Sequence, residues 1–298
     1  MIQDIVKQLE PLPPKSKLII FGGGYSGQKI ASLGRNLGLN VLCSRRKRGS
    51  KGADFIFNTD QEFANEILEG ATHVLSCIPP LVSGEDPVLS KVKTQLLHSK
   101  NLKWVGYLST TGVYGDAKGK WVDENTAPNP QQERSIRRFS CEKQWLETNL
   151  PIQILRLPGI YGPRRSAFES LLNGTVKMIE KPGQVFSRIH VDDIAGAVLF
   201  LINLYSQGKN PSVVNIADNL PTNNLEVITF AAKLAKQSLP KTVPFESAKK
   251  SMSPMALSFW QENRKVDNNL LCKKLGYSLI YPDFKSGLKN CFSELQLN

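Results

Sequence analysis

Gly22-Gly23-Gly24-Tyr25-Ser26-Gly27 carries the spacing Gly-x-Gly-x-x-Gly. Such a run suits phosphate when it leaves a strand and opens a helix, because unpaired N–H groups and a partial positive charge then face the anion. Lys17–Phe21 reads as that strand, and the stretch from Tyr25 to Leu37, stopped by Gly38, reads as that helix. Gly22 permits the tight turn and Gly24 lets the backbone approach a pyrophosphate. Gly27 lets the helix pack against the strand, and Tyr25 and Ser26 stand at the helix mouth. About 20 residues further on, Ser44-Arg45-Arg46 ends the second strand, where an acid would accept from a ribose 2′-hydroxyl. Guanidinium forks there suit a 2′-phosphate, so the sequence predicts NADP(H) over NAD(H). Lys47 and Arg48 fit a solvated basic loop.

Strands must hold these residues in register. Further strands are predicted over Asn40–Cys43, Ala53–Phe57, Thr72–Ile78, Lys103–Ser109 and Pro151–Leu157. Thr59-x-x-Glu62 reads as a capping box opening a helix that Gly70 closes. Asp86-Pro87 starts a helix to about Lys100, and Asn129-Pro130 opens one to Leu150. Beyond Pro158 come a helix near Asp193–Tyr205, a strand Val213–Ala217 and a helix near Asn223–Lys236. The alternation predicts an α/β chain: a Rossmann doubly wound parallel sheet with a smaller C-terminal substrate lobe. Residues 1–158 with 190–217 form the expected nucleotide-binding domain, and 159–189 with 218–298 the substrate-binding lobe.

Composition excludes several classes. At 298 residues and 41% hydrophobic, the chain has material for a two-lobed core. The longest apolar candidate for a membrane span, Ala195–Ile202, is broken by Asn203. Met1–Glu10 lacks the apolar run of a secretory signal. Five scattered cysteines without Cys-x-x-Cys argue against disulfides and zinc, and fit a reducing cytoplasm. His190 and Asp192 lack a third ligand, so no metal is expected. Asp192 or Asp193 reads as a helix N-cap and His190 as a structural residue. The net charge of +12 favours anionic partners, and Arg45-Arg46-Lys47-Arg48 is the densest basic cluster.

Five ordered segments carry a resemblance: Leu108-Ser109-Thr110-Thr111-Gly112-Val113-Tyr114-Gly115, Leu155 to Pro163, Arg188 to Asp193, Asn215-Ile216-Ala217-Asp218 and Leu275-Gly276-Tyr277. From Lys17 onward the chain resembles the extended and atypical short-chain dehydrogenases/reductases, the NAD(P)-dependent epimerase/dehydratase-like group. The resemblance implies that Cys77-Ile78-Pro79, Ser109 and Leu157-Pro158-Gly159-Ile160 border the cofactor. It implies that Thr110 binds a substrate oxygen. The family's Tyr-x-x-x-Lys pair is missing. Alignment through Glu142 places Arg138 at the lysine position and Arg134 at the tyrosine position, as in atypical subgroups. Arginine stabilises an anion or holds a ribose, but is a poor proton donor. Tyr25/Lys29, Tyr114/Lys118 and Tyr281/Lys285 match the spacing by coincidence, none being on the helix after strand five. Tyr114 is kept as a proton-transfer candidate beside the strand-five hydroxyl; the alternative is a packed loop aromatic.

Helical spacing puts Phe139, Leu146 and Leu150 on the core face, with Arg134, Arg138 and Glu142 on the flank. That flank either lines a cleft or forms surface pairs, Arg138 with Glu142 and Glu133 with Arg137. Arg134 reads as surface.

Three functions are open. The first is an NADP(H)-dependent oxidoreductase or epimerase acting on a small polar or nucleotide-linked substrate through Thr110, Arg138 and Tyr114 or a water. Arg164-Arg165 would then receive an anionic substrate group; the equal alternative is a solvated surface role. The second is a non-catalytic NADP(H) sensor or scaffold. The third is RNA binding, against which stands the absence of aromatics interleaved with the basic clusters. A homodimer through the helices after strands four and five would suit the resemblance.

Overall fold

The computed structural model describes residues 12, 15–47 and 49–297. The readings of Met1–Glu10 and of Arg48 lie outside them.

The central sheet has seven strands: β1 (Lys17–Phe21), β2 (Asn40–Arg45), β3 (Phe55–Ile56), β4 (His73–Ser76), β5 (Trp104–Thr110), β6 (Ile152–Leu157) and β7 (Val213–Asn215). Their order is β7-β6-β5-β4-β1-β2-β3, and every pairing is parallel. This is the Rossmann arrangement. Parallel strands are covered on both faces, hence near-continuous apolar runs such as Leu18-Ile19-Ile20-Phe21.

Alternate residues serve opposite faces. Leu18 and Ile20 pack with helices α1 (Tyr25–Asn36) and α5 (Val191–Ser206). Ile19 and Phe21 pack with α2 (Leu89–His98) and α3 (Glu133–Leu146). The strand order reverses between β1 and β4, and there the carboxyl ends of the strands leave a crevice.

Beyond β6 a short pair, Gly159–Tyr161 with Arg188–His190, leads into a third apolar cluster. It is built on α4 (Ala167–Leu172), α6 (Asn224–Ala235) and α8 (Phe284–Gln296), with Phe168, Ile228 and Phe284 at its centre. Helix α7 (Pro254–Trp260) lies between α6 and α8 in sequence. Leu271 and Tyr277, assigned to the substrate lobe by sequence, pack instead in the cluster of α1 and α5. Among the described residues no helix is long and apolar enough to cross a membrane.

Several expected elements differ. No helix starts at Thr59: its hydroxyl bonds Asp60 Oδ1 while Asn58 Oδ1 accepts from the Asp60 amide, so the capping groups make a turn. Only a 3₁₀ turn, Asn65–Leu68, follows. Helix α3 starts at Glu133, not at Asn129-Pro130, and ends at Leu146. Its buried face is Ser135, Cys141, Glu142 and Trp145, whereas Leu146 is 42% exposed. His190, not Asp192 or Asp193, caps α5, its imidazole accepting from the Asp192 amide. Asp193 has another task. Its buried carboxylate accepts from the Ile280 and Tyr281 amides and the Tyr277 hydroxyl, which fastens that segment onto α5.

Candidate functional site

The glycine turn is fixed by steric necessity. Gly22 has φ +100°, and a Cβ on Gly27 would lie 2.2 Å from the Gly22 carbonyl oxygen. The Gly22 amide donates to Ser44 Oγ and the Gly23 amide to the Ser44 carbonyl, at 2.9 and 2.7 Å. This pins the turn to the end of β2. Gly24 caps α1 without any side-chain hydrogen bond, and the first turn of the helix holds no acid. A Cβ on Gly24 would meet nothing within 4 Å, because the turn opens there onto a cavity of about 620 Å³. An uncapped helix mouth beneath open space is a receptor for an anion.

Gly22, Gly24, Ser26, Gly27, Ser44, Arg45, Arg46, Cys77, Ile78, Pro79 and Ser109 all line this cavity. The Arg45 Nε is buried and has no hydrogen-bond partner among the described residues, which leaves a donor for a ligand. The turn after β3, Asn58 to Asp60, also lines the cavity, and the sequence reading had not placed it there. Tyr25 behaves differently from its neighbours. Its hydroxyl donates to the Pro163 carbonyl at 2.9 Å under the Arg165 guanidinium, so only its backbone can serve the helix mouth.

A second cavity of about 540 Å³ adjoins the first. Ser109, Arg138, Leu157 and Ile160 line both, so their side chains form the junction. Thr110, Pro158 and Gly159 line the second cavity only. The residues expected at the cofactor and substrate positions are thus brought together, except for the side chains of Tyr25 and Tyr114. Tyr114 is buried and lines neither cavity; its hydroxyl donates to Asn215 Oδ1 at 2.8 Å and Arg156 lies over its ring. Burial raises its phenol.

Residues 57–217, more than half of the chain, match the family model of the NAD dependent epimerase/dehydratase family. The chain belongs to that family. A solved structure of a conserved protein of unknown function from Silicibacter pomeroyi DSS is 36% identical, covering 94% of this chain and 99% of its own at a TM-score of 0.83. Human epimerase family protein SDR39U1 (isoform 2), solved with NADPH, is 15% identical, covering 93% of this chain and 99% of its own at a TM-score of 0.74. UDP-N-acetylglucosamine 4-epimerase from Bacillus cereus is 16% identical over 94% and 99% of the two chains, with a TM-score of 0.71. No curated protein sequence matches the chain.

In this epimerase-family chain the helix after β5 presents two arginines to the cleft. Arg138 Nη1 lies 3.0 Å from the Tyr107 hydroxyl, 3.2 Å from the Leu108 carbonyl and 3.3 Å from the Ile78 carbonyl. It does not pair with Glu142 as helical spacing allowed. Glu142 is fully buried and is taken by Arg156, whose Nε and Nη2 grip its two oxygens at 3.1 and 2.7 Å. The Ser109 hydroxyl donates to the same carboxylate. Glu133 and Arg137 do pair on the surface. Arg134, expected at the surface, forms the cavity wall: it lies 3.9 Å over the Phe259 ring and donates to Ser258 of α7. Desolvation there lowers its pKa.

The second cavity is strongly cationic. Arg134, Arg138, Arg165, Arg188 and Arg264 line it against one carboxylate, Glu262, which Arg264 occupies at 2.7 Å. Arg164 has a positive φ and does not reach the lining. His190 sits between the Tyr161 and Tyr281 rings, and burial lowers its imidazole to about 4. Among the described residues no cluster of His, Cys, Asp and Glu could hold a metal ion.

Proposed function

We propose that this protein binds NADP(H) in the first cavity and acts as an oxidoreductase or epimerase on a small polar or nucleotide-linked substrate in the second. The observation that carries this is the meeting of the two cavities at Ser109, Arg138, Leu157 and Ile160. The uncapped mouth of α1 suits a pyrophosphate, and Arg45 and Arg46 suit a 2′-phosphate. The NADPH seen with human SDR39U1 and the sugar-nucleotide chemistry named for the Bacillus cereus enzyme support both halves of the reading. We assign the cofactor to residues 1–158 with 190–217, and the substrate mainly to 159–189 with 218–298.

A bound nicotinamide dinucleotide would supply hydride donation and acceptance. The chain's own groups prepare the oxygen that reacts. Thr110 Oγ1 accepts from the Gly112 amide at 3.1 Å, which leaves its own proton for a substrate oxygen. Ser109 gives its proton to Glu142, so it presents lone pairs instead. Together they offer one donor and one acceptor. Arg138 cannot pass a proton, and its permanent charge stabilises negative charge developing at the junction.

The test begins with fluorescence titration of NADPH and NADH. NADPH binds more tightly, and Arg45→Ala with Arg46→Ala weakens NADPH about tenfold or more while leaving NADH nearly unchanged. If neither dinucleotide binds at millimolar concentration, the reading is wrong. A second reading, a sensor without turnover, is favoured by one observation. Among the described residues Tyr161 is the phenol that lines either cavity, and its hydroxyl turns away to the Asp283 carbonyl. NADPH oxidation across carbonyl and sugar-nucleotide substrates, lost in Thr110→Ala, decides for the enzyme; tight binding without turnover decides for the sensor.

A further inference from the structure

Among the described residues two arginines are at least nine-tenths buried, Arg156 and Arg188, at 4% and 9% exposure. Arg156 grips Glu142 with Nε and Nη2. Arg188 has no such partner: no carboxylate oxygen of the described residues lies within 4.0 Å of it. Its Nη1 donates to the carbonyls of Phe186 and Thr222 at 2.8 and 3.0 Å, and its Nη2 to Asn224 Oδ1 at 3.3 Å. All three acceptors are neutral. A guanidinium has five N–H groups, so Nε and one hydrogen of Nη2 are left, on the same two nitrogens that hold the carboxylate in Arg156.

The acid whose charge bears most on Arg188 is Asp218, but no oxygen of it lies within 4.0 Å, and burial pushes that carboxyl up, which weakens its hold on the cation. A buried cation without a carboxylate in contact is unfavourable, and folds rarely keep one without a use for it. The position of Arg188 supplies the use. With Tyr161, Arg165 and Asn224 it lines both the 540 Å³ cavity and a further pocket of about 280 Å³, forming a waist between them. Arg165 brings a second guanidinium to the waist, again with no carboxylate within 4.0 Å among the described residues.

We infer that the waist at Arg188 and Arg165 is an oxyanion subsite that holds a carboxylate or phosphate group of the substrate, gripped by the free Nε and Nη2 donors of Arg188. The inference rests on reading the adjoining cavity as the substrate site, and it makes the substrate an acid. Arg188 is absent from the junction with the first cavity, so the group anchors the substrate and does not react.

The experiment uses the full chain with and without saturating NADPH, the cofactor blocking the α1 mouth. Malonate, inorganic pyrophosphate and UDP are titrated separately by calorimetry. At least one binds at millimolar concentration or below in the presence of NADPH. Arg188→Met weakens it about tenfold or more while NADPH affinity holds within about twofold. Arg165→Gln, at an exposed position, weakens it about threefold or more with an unchanged melting curve, which covers the case where Arg188→Met does not fold. Malonate alone identifies a carboxylate; pyrophosphate or UDP identifies a phosphate. The proposal is overturned if no oxyanion binds, or if the folded variants bind as the wild type does. NADPH binding without any oxyanion binding sinks the subsite and leaves the cofactor reading intact. Arg188-dependent oxyanion binding without NADPH binding does the reverse.

Discussion

Glu142→Gln should be among the most damaging single changes in the sheet region, and its size follows from the ion pair it breaks. The Glu142 and Arg156 side chains are 0% and 5% exposed, and Arg156 binds both carboxylate oxygens. Burial alone would lower the Arg156 pKa, but the hydrogen bonds and charge of Glu142 outweigh it and raise the value. Removing the carboxylate leaves a buried guanidinium uncompensated, which costs about 3–5 kcal/mol. For 298 residues the unfolding entropy near 60 °C is about 0.6 kcal/mol/K, so Tm falls by roughly 5–8 °C. Adding Arg156→Met removes the orphaned charge and should restore much of the loss. Circular-dichroism melts of wild type, single and double variants measure both effects. A fall below about 1 °C for the single variant, or a double variant no more stable than the single, would refute the argument that charge burial sets the cost.

Three further outcomes are expected. In Gly27→Ala the new methyl meets the Gly22 carbonyl, so α1 must shift; stability drops by about 1–3 kcal/mol and NADPH titration shows weakened binding. Tyr114→Phe removes a buried bond to Asn215, costs about 1 kcal/mol in urea unfolding, and leaves dinucleotide binding and any turnover intact. Burial lowers His73 from 6.5 to about 4, so between those values the unfolded chain holds a proton that the folded chain lacks. The His73 contribution is complete above pH 6.5 and is lost as pH falls towards 4, by at most about 3 kcal/mol; His73→Phe should flatten that limb of a stability–pH curve.

Local chemistry was readable where neighbouring residues decide it. The limits of β1 and the start of α1 follow from an apolar run meeting glycines, and the residues lining the first cavity are close to that turn in sequence or at strand ends. Long-range partners were not readable. Arg134 was expected at the surface because nothing in its own helix shows that Ser258 and Phe259, more than a hundred residues away, close over it. Glu142 could equally pair with Arg138 one turn away, and only the register of β5 against β6, Ser109 beside Arg156, reveals which arginine takes it. Tyr114 stands next to the strand-five hydroxyls in sequence, but the 3₁₀ turn Thr111–Tyr114 rotates it into the apolar interior with Val113 and Val266.

Tyr25 gives the cleft a mechanical linkage. The helix whose first amides face the first cavity also sends a phenol across to the Pro163 carbonyl, in the loop that carries Arg165 into the waist. Any tilt of α1 as phosphates settle on its mouth is therefore conveyed to the opposite lobe by one rigid aromatic strut. A ligand in one chamber should then change the affinity of the other chamber, by the same factor in both directions.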